Sequence, residues 1–154
     1  MGAIIQARVY SPENQAGLLK PIIYCCPYGN VISEAFSVNM LLAEKLLKLQ
    51  PNLRSMRLEK CFSQVLDTLP NGVAIKDFDV MFNPEYQVDL LKIMILACKK
   101  KQFSIVWPGK YEAGMLVYAE VGYPDYKVFR IENYDVTCII EEEKRDEIFR
   151  TNKF

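Results

Sequence analysis

The stretch Pro21-Ile22-Ile23-Tyr24-Cys25-Cys26-Pro27-Tyr28-Gly29-Asn30 decides the fold. Its apolar run is too short for a helix and is closed by Pro27, Gly29 and Asn30, the pattern of a strand buried on both faces. Two further runs repeat that pattern. Val73-Ala74-Ile75 follows the turn Pro70-Asn71-Gly72, and Phe103-Ser104-Ile105-Val106-Trp107 ends at Pro108-Gly109. Between the runs, apolar residues recur at helical spacing. Met40–Leu49 reads as one helix, stopped by Pro51 and Asn52. Leu53–Leu69 reads as a second, with Met56, Cys61, Phe62, Val65, Leu66 and Leu69 on its inner side. Asn83-Pro84-Glu85 combines an N-cap, a first-turn proline and an acid at the positive helix end, so a helix is expected from Glu85 to about Cys98. Lys99-Lys100-Lys101 then sits at its negative end.

Outward from this centre the signals weaken. Residues 1–19 carry little pattern; Ser11-Pro12-Glu13-Asn14 is turn chemistry, and Gln15–Lys20 is expected to be a short helix. After Gly114 the runs Met115–Ala119, Tyr126–Ile131 and Val136–Ile140 are short strands separated by turns. The tail, residues 141–154, is charged and expected to be helical, with Glu141–Glu147 an exposed face of i,i+4 pairs. The expected architecture is one α/β domain over residues 1–154, its core at about residues 20–140. A mainly parallel central sheet should carry helices on both faces, and the later strands should extend or flank it.

Composition sets the limits. The chain has 154 residues, 51% hydrophobic and 25% charged, which fits one globular domain. Basic and acidic residues number 19 each, so no net field drives non-specific nucleic-acid binding. There is no histidine, which excludes Ser-His-Asp and Cys-His catalysis and imidazole metal sites. The five cysteines, an odd count without a C-x-x-C pair, suggest neither a disulfide framework nor a zinc ribbon. With no secretory leader and no run of about 18–20 apolar residues, a cytoplasmic protein without membrane contact is expected.

The loop after the first strand invites comparison with a P-loop, a strand followed by G-x-x-x-x-G-K-[ST] and a helix. Laid over Cys26–Ser33, the motif puts Ser33 on the hydroxyl position. Cys26 and Val31 replace the two glycines and Ile32 replaces the lysine. A β-branched residue obstructs the close backbone approach that phosphate needs, and isoleucine brings no charge. The second apolar strand should end on an acid that holds Mg²⁺. Here Lys76 follows Ile75, with Asp77 and Asp79 beyond it.

Four further segments complete the picture: Phe78-Asp79-Val80-Met81-Phe82-Asn83-Pro84-Glu85, Asp89-Leu90-Leu91, Val106-Trp107-Pro108-Gly109 and Leu116-Val117-Tyr118-Ala119-Glu120-Val121-Gly122-Tyr123-Pro124-Asp125-Tyr126. In their order and spacing, over about residues 20–140, they resemble the BrxF family of small P-loop proteins from BREX bacteriophage-exclusion systems. The resemblance implies a P-loop-NTPase-like three-layer fold and a role in antiviral defence. Implied partners are other defence-system proteins: the large ATPase, the alkaline-phosphatase-like protein and the adenine methyltransferase. Because both nucleotide elements depart from the family pattern, the first reading is a non-catalytic accessory subunit needing no cofactor, binding those proteins or a second copy of itself.

Two other readings stand beside it. One is an atypical nucleotide-binding protein that holds ATP and Mg²⁺ through Gly29, Asn30 and Ser33 with Asp77 or Asp79. The other is a DNA-contacting adaptor using Lys99–Lys101, which the neutral chain does not indicate. For partner binding the candidates are Trp107, Tyr111, Tyr123 and Tyr126, aromatics at strand ends and turns, the residue types that dominate hot spots. The competing role for them is to seal one end of the core. Glu120 and Asp125 are the nearest approach to paired catalytic carboxylates; a capped turn explains them as well.

Overall fold

Short apolar runs bounded by breakers cannot bury their faces as helices, and the chain resolves this by pairing them. The computed structural model describes residues 1–13, 15–25 and 34–141. Six strands form a parallel sheet: β1 (Ala3–Gln6), β2 (Ile22–Tyr24), β3 (Phe36–Ser37), β4 (Val73–Lys76), β5 (Phe103–Val106) and β9 (Thr137–Ile140). Their order across the sheet is β1-β9-β2-β5-β4-β3. All five neighbouring pairs are parallel, with Ile23 opposite Ile105 on one side of β2 and Cys138 on the other. The three strands expected from sequence are therefore adjacent at the sheet's centre. A small antiparallel sheet, β6 (Lys110–Glu112), β7 (Met115–Tyr118) and β8 (Lys127–Arg130), is inserted between β5 and β9.

Alternation along the strands divides the core in two. Ile23, Ile75, Ile105, Cys138 and Ile140 face one side, where they meet α1 (Asn39–Leu47), α2 (Pro51–Asp67), α3 (Leu90–Lys100) and the inner face of the small sheet. Ile22, Tyr24 and Ile139 face the other, where Ile5, Ala7, Tyr10 and Leu18 cover them. The expectation of helices on both faces is thus corrected: among the described residues all three α-helices serve one face. On the second face Tyr10 shares a 2.9 Å hydroxyl contact with Tyr24, and Gln15 donates to Tyr10 at 3.0 Å. That cover replaces the helix expected over Gln15–Lys20, which the structure shows as turns. Such polar-tipped tyrosines let an irregular segment shield a sheet without orphaning its own groups.

The helices shift where local chemistry overrides periodicity. Pro51 opens α2 as its first residue and does not merely stop α1. Arg54 closes the joint, its Nε donating to the Leu46 carbonyl at 2.9 Å and to that of Leu49 at 3.3 Å. The inner side of α2 is Leu58, Cys61, Phe62, Val65 and Leu66; Met56, expected there, is 75% exposed. Asn83 does cap, accepting from the Glu85 amide at 3.0 Å, but only a single 3-10 turn, Pro84–Tyr86. Gln87 then takes a left-handed φ of 50°, and α3 starts afresh with Asp89 as N-cap. Cys61, Cys98 and Cys138 are buried free thiols. Among the described residues no helix is long and apolar enough to cross a membrane. The charged tail beyond Glu141 lies outside the described residues.

Candidate functional site

In open α/β sheets ligands bind beyond the carboxyl ends of the strands, where neighbouring connections diverge. That point here lies at β2 and β5. From β2 the chain passes to β3 at one edge of the sheet, whereas from β5 it passes to β9 on the other side of β2. The two strand ends are tied together by the Trp107 amide, which donates to the Tyr24 carbonyl at 3.0 Å. Gly29, Asn30 and Ser33 follow β2 in the chain and lie outside the described residues. Immediately after Ser33 come Glu34 and Ala35, with no helical assignment, then β3; α1 begins only at Asn39.

The candidate acids lie at the end of the next strand over. Asp77 is exposed, at a left-handed φ of 52°. Asp79 is half-buried and engaged on both oxygens: Tyr118 donates to Oδ2 at 2.8 Å, and Asn39 Nδ2 contacts Oδ1 at 3.5 Å. The Asn39 carbonyl oxygen accepts in turn from the Val80 amide at 3.0 Å, which ties the start of α1 to the turn after β4. Tyr118 lies flat on Phe82, ring centroids 3.7 Å apart and planes within 4°. Burial, the bond to Asp79 and the charges of Asp79 and Asp125 hold its phenol above the ordinary tyrosine range. A neutral donor fixed on a carboxylate is a structural clasp; it joins the small sheet to the carboxyl end of the large one.

The four aromatic candidates separate by burial. Trp107 is 5% exposed and belongs to the core, between Phe82 and Phe129, with Nε1 donating to the Val117 carbonyl at 3.0 Å. It is not presented to a partner. A Cβ at Gly109 would collide with that same Val117 carbonyl, so the Trp107-Pro108-Gly109 segment is explained by close packing of β5's exit on β7. Tyr111 is half-buried and packs on the core, and Tyr126 is half-buried too. Tyr123 alone of the four is well exposed, at 62%. Around it the Tyr123 amide donates to the Glu120 carbonyl and the Tyr126 amide to that of Tyr123, both at 3.1 Å, so Glu120 and Asp125 stand in consecutive tight turns.

Two contacts had little sequence signal. Tyr134 donates to Asp89 Oδ2 at 2.8 Å while Asp89 Oδ1 accepts from the Lys92 amide at 3.3 Å. The N-cap of α3 therefore doubles as an anchor for the segment entering β9. Burial and this carboxylate push the Tyr134 phenol up to about 12. The only hint in the sequence was an Asp ahead of an apolar helical run. Lys101, at the end of the lysine triplet, donates Nζ to the Leu69 carbonyl, leaving Lys99 and Lys100 as its exposed members.

With that geometry in place, comparison with protein-family models, curated proteins and solved structures gives no significant match. Among the described residues, no three Cys, Asp or Glu side chains converge as a metal-binding group.

Proposed function

We propose that the chain is a non-catalytic, P-loop-like accessory subunit of a BREX-like bacteriophage-exclusion system, one that acts by binding other defence proteins. The observation that supports the non-catalytic part of this reading is the path after Ser33. A P-loop runs straight into a helix whose N-terminal amides and positive dipole end hold the phosphates. Here two residues separate Ser33 from β3, and the next helix starts beyond that strand. Ile32 and Val31 already remove the charge and the backbone room. Asp79, the better-placed acid, is clasped by Tyr118 and Asn39. The defence role and its partners rest on the resemblance of residues 20–140 to the BrxF family. Calorimetric titration of the protein with ATP and Mg²⁺ tests the reading. No heat of binding is expected at tens of micromolar; saturable micromolar binding overturns it in favour of an atypical nucleotide-binding protein.

A further inference from the structure

The helical layer carries a charge that the whole chain does not. The three helices with their caps, residues 38–68 and 89–101, contain nine Lys or Arg against four Asp or Glu, although the full sequence balances 19 against 19. One layer of a neutral molecule is thus cationic, and such separation attracts a partner of opposite sign. Within this layer a groove of about 290 Å³ runs between α2 and α3. Met56, Leu96 and Ala97 supply its apolar surface; Glu59, Lys60, Ser63 and Lys100 complete it. Met56 is 75% exposed and Leu96 48%, each on a helix whose opposite side is buried in the core. Helical spacing sets Lys60 one turn after Met56, and Lys92 and Lys100 one turn before and after Leu96. All three lysines are exposed. An apolar centre with cations around it is the result.

We propose that this groove docks an acidic amphipathic helix of a protein partner, its apolar side chains on Met56 and Leu96 and its carboxylates toward Lys60, Lys92 and Lys100. The inference rests on reading the chain as a binding subunit and names the face it uses. The volume falls just below the roughly 300–1,000 Å³ of small-molecule pockets and suits a few inserted side chains, as when a helix lies in a groove. A nucleic-acid backbone would engage the lysines but leave Met56 and Leu96 in water. Complementary charge and apolar contact together favour the acidic helix.

Fluorescence polarisation of a synthetic helix with leucine on one stripe and glutamate elsewhere, titrated with the full chain, tests this. The striped peptide should bind about tenfold or more tighter than its scrambled isomer, and a leucine–lysine version should not bind. Leu96→Glu and Lys60→Glu/Lys100→Glu should each weaken binding by about tenfold, with melting temperature unchanged because the replaced side chains are exposed. Equal affinity for the scrambled peptide, or indifference to Leu96→Glu, overturns the proposal. So does preferential binding of duplex DNA or phosphatidylserine vesicles, which would assign the lysines to phosphate. The ATP titration reports on the phosphate loop alone, so either idea can fail without the other.

Discussion

Asp79 stands where a metal-holding acid would be sought, at the carboxyl end of a central strand, yet its oxygens already serve Tyr118 and Asn39. Tyr118→Phe keeps the stack on Phe82 and deletes only the hydroxyl, so a loss of about 1–2 kcal/mol is expected for a charge-assisted bond at a half-buried site. Calorimetric melting should register this as a fall of a few degrees. Tyr134 makes the equivalent bond to Asp89, and its phenol is raised from 10.0 to about 12. A raised folded-state value means stability fully present below pH 10 and lost as pH climbs toward 12, where the unfolded chain releases the proton first. Tyr134→Phe should therefore melt lower at pH 8 and show a shallower decline between pH 10 and 12 than the parent. An unchanged slope would contradict the bond. Gly109→Ala should be costlier than any of these, because the added methyl collides with backbone at Val117 and cannot be relieved by a rotamer change.

At the scale of elements, the start of α3 shows how a short-range signal is overridden. Asn83-Pro84-Glu85 has every mark of a helix N-terminus and delivers one turn, because the chain reverses at Gln87 and Asp89 caps again. Asp89→Ala should cost about 0.5–2 kcal/mol as a lost cap, and more than Asn83→Ala, since it also frees Tyr134. Reversible thermal melts of the two variants make the comparison. The small sheet sorts its tyrosines in the same manner. Tyr111→Ala should lower the melting temperature by several degrees, as Tyr111 packs on the core, while Tyr123→Ala should leave it within about a degree. Aromatic spacing alone did not distinguish them; burial by a neighbouring sheet did. Met56 illustrates the converse, an apolar residue whose position on α2 turns it away from the face of Leu58, Phe62 and Val65 and leaves it in solvent.

For the whole molecule, the strands at Ile22–Tyr24, Val73–Lys76 and Phe103–Val106 were legible because short apolar runs between breakers have one good solution, burial in a sheet. Local composition also settled the existence of α1 and α2 and the strand character of residues 115–140. It was silent on β1, β3 and β6, whose residues are half-exposed or exposed and form strands because a neighbour offers a ladder. β1 pairs with β9 across more than 130 residues, from Ala3 to Thr137, a relation no window on the chain contains. Likewise the helices were readable one by one, but their gathering on a single face, which sets nine cations against four acids in a chain of zero net charge, depends on strand order. The sequence by itself determined the α/β class, the central strands and the absence of histidine chemistry, since these follow from residue type and local period. Only the tertiary structure decided that Asp79 is clasped, that Trp107 is core and Tyr123 surface, and that Met56 and Leu96 share a groove, since each depends on contacts between segments far apart in the chain.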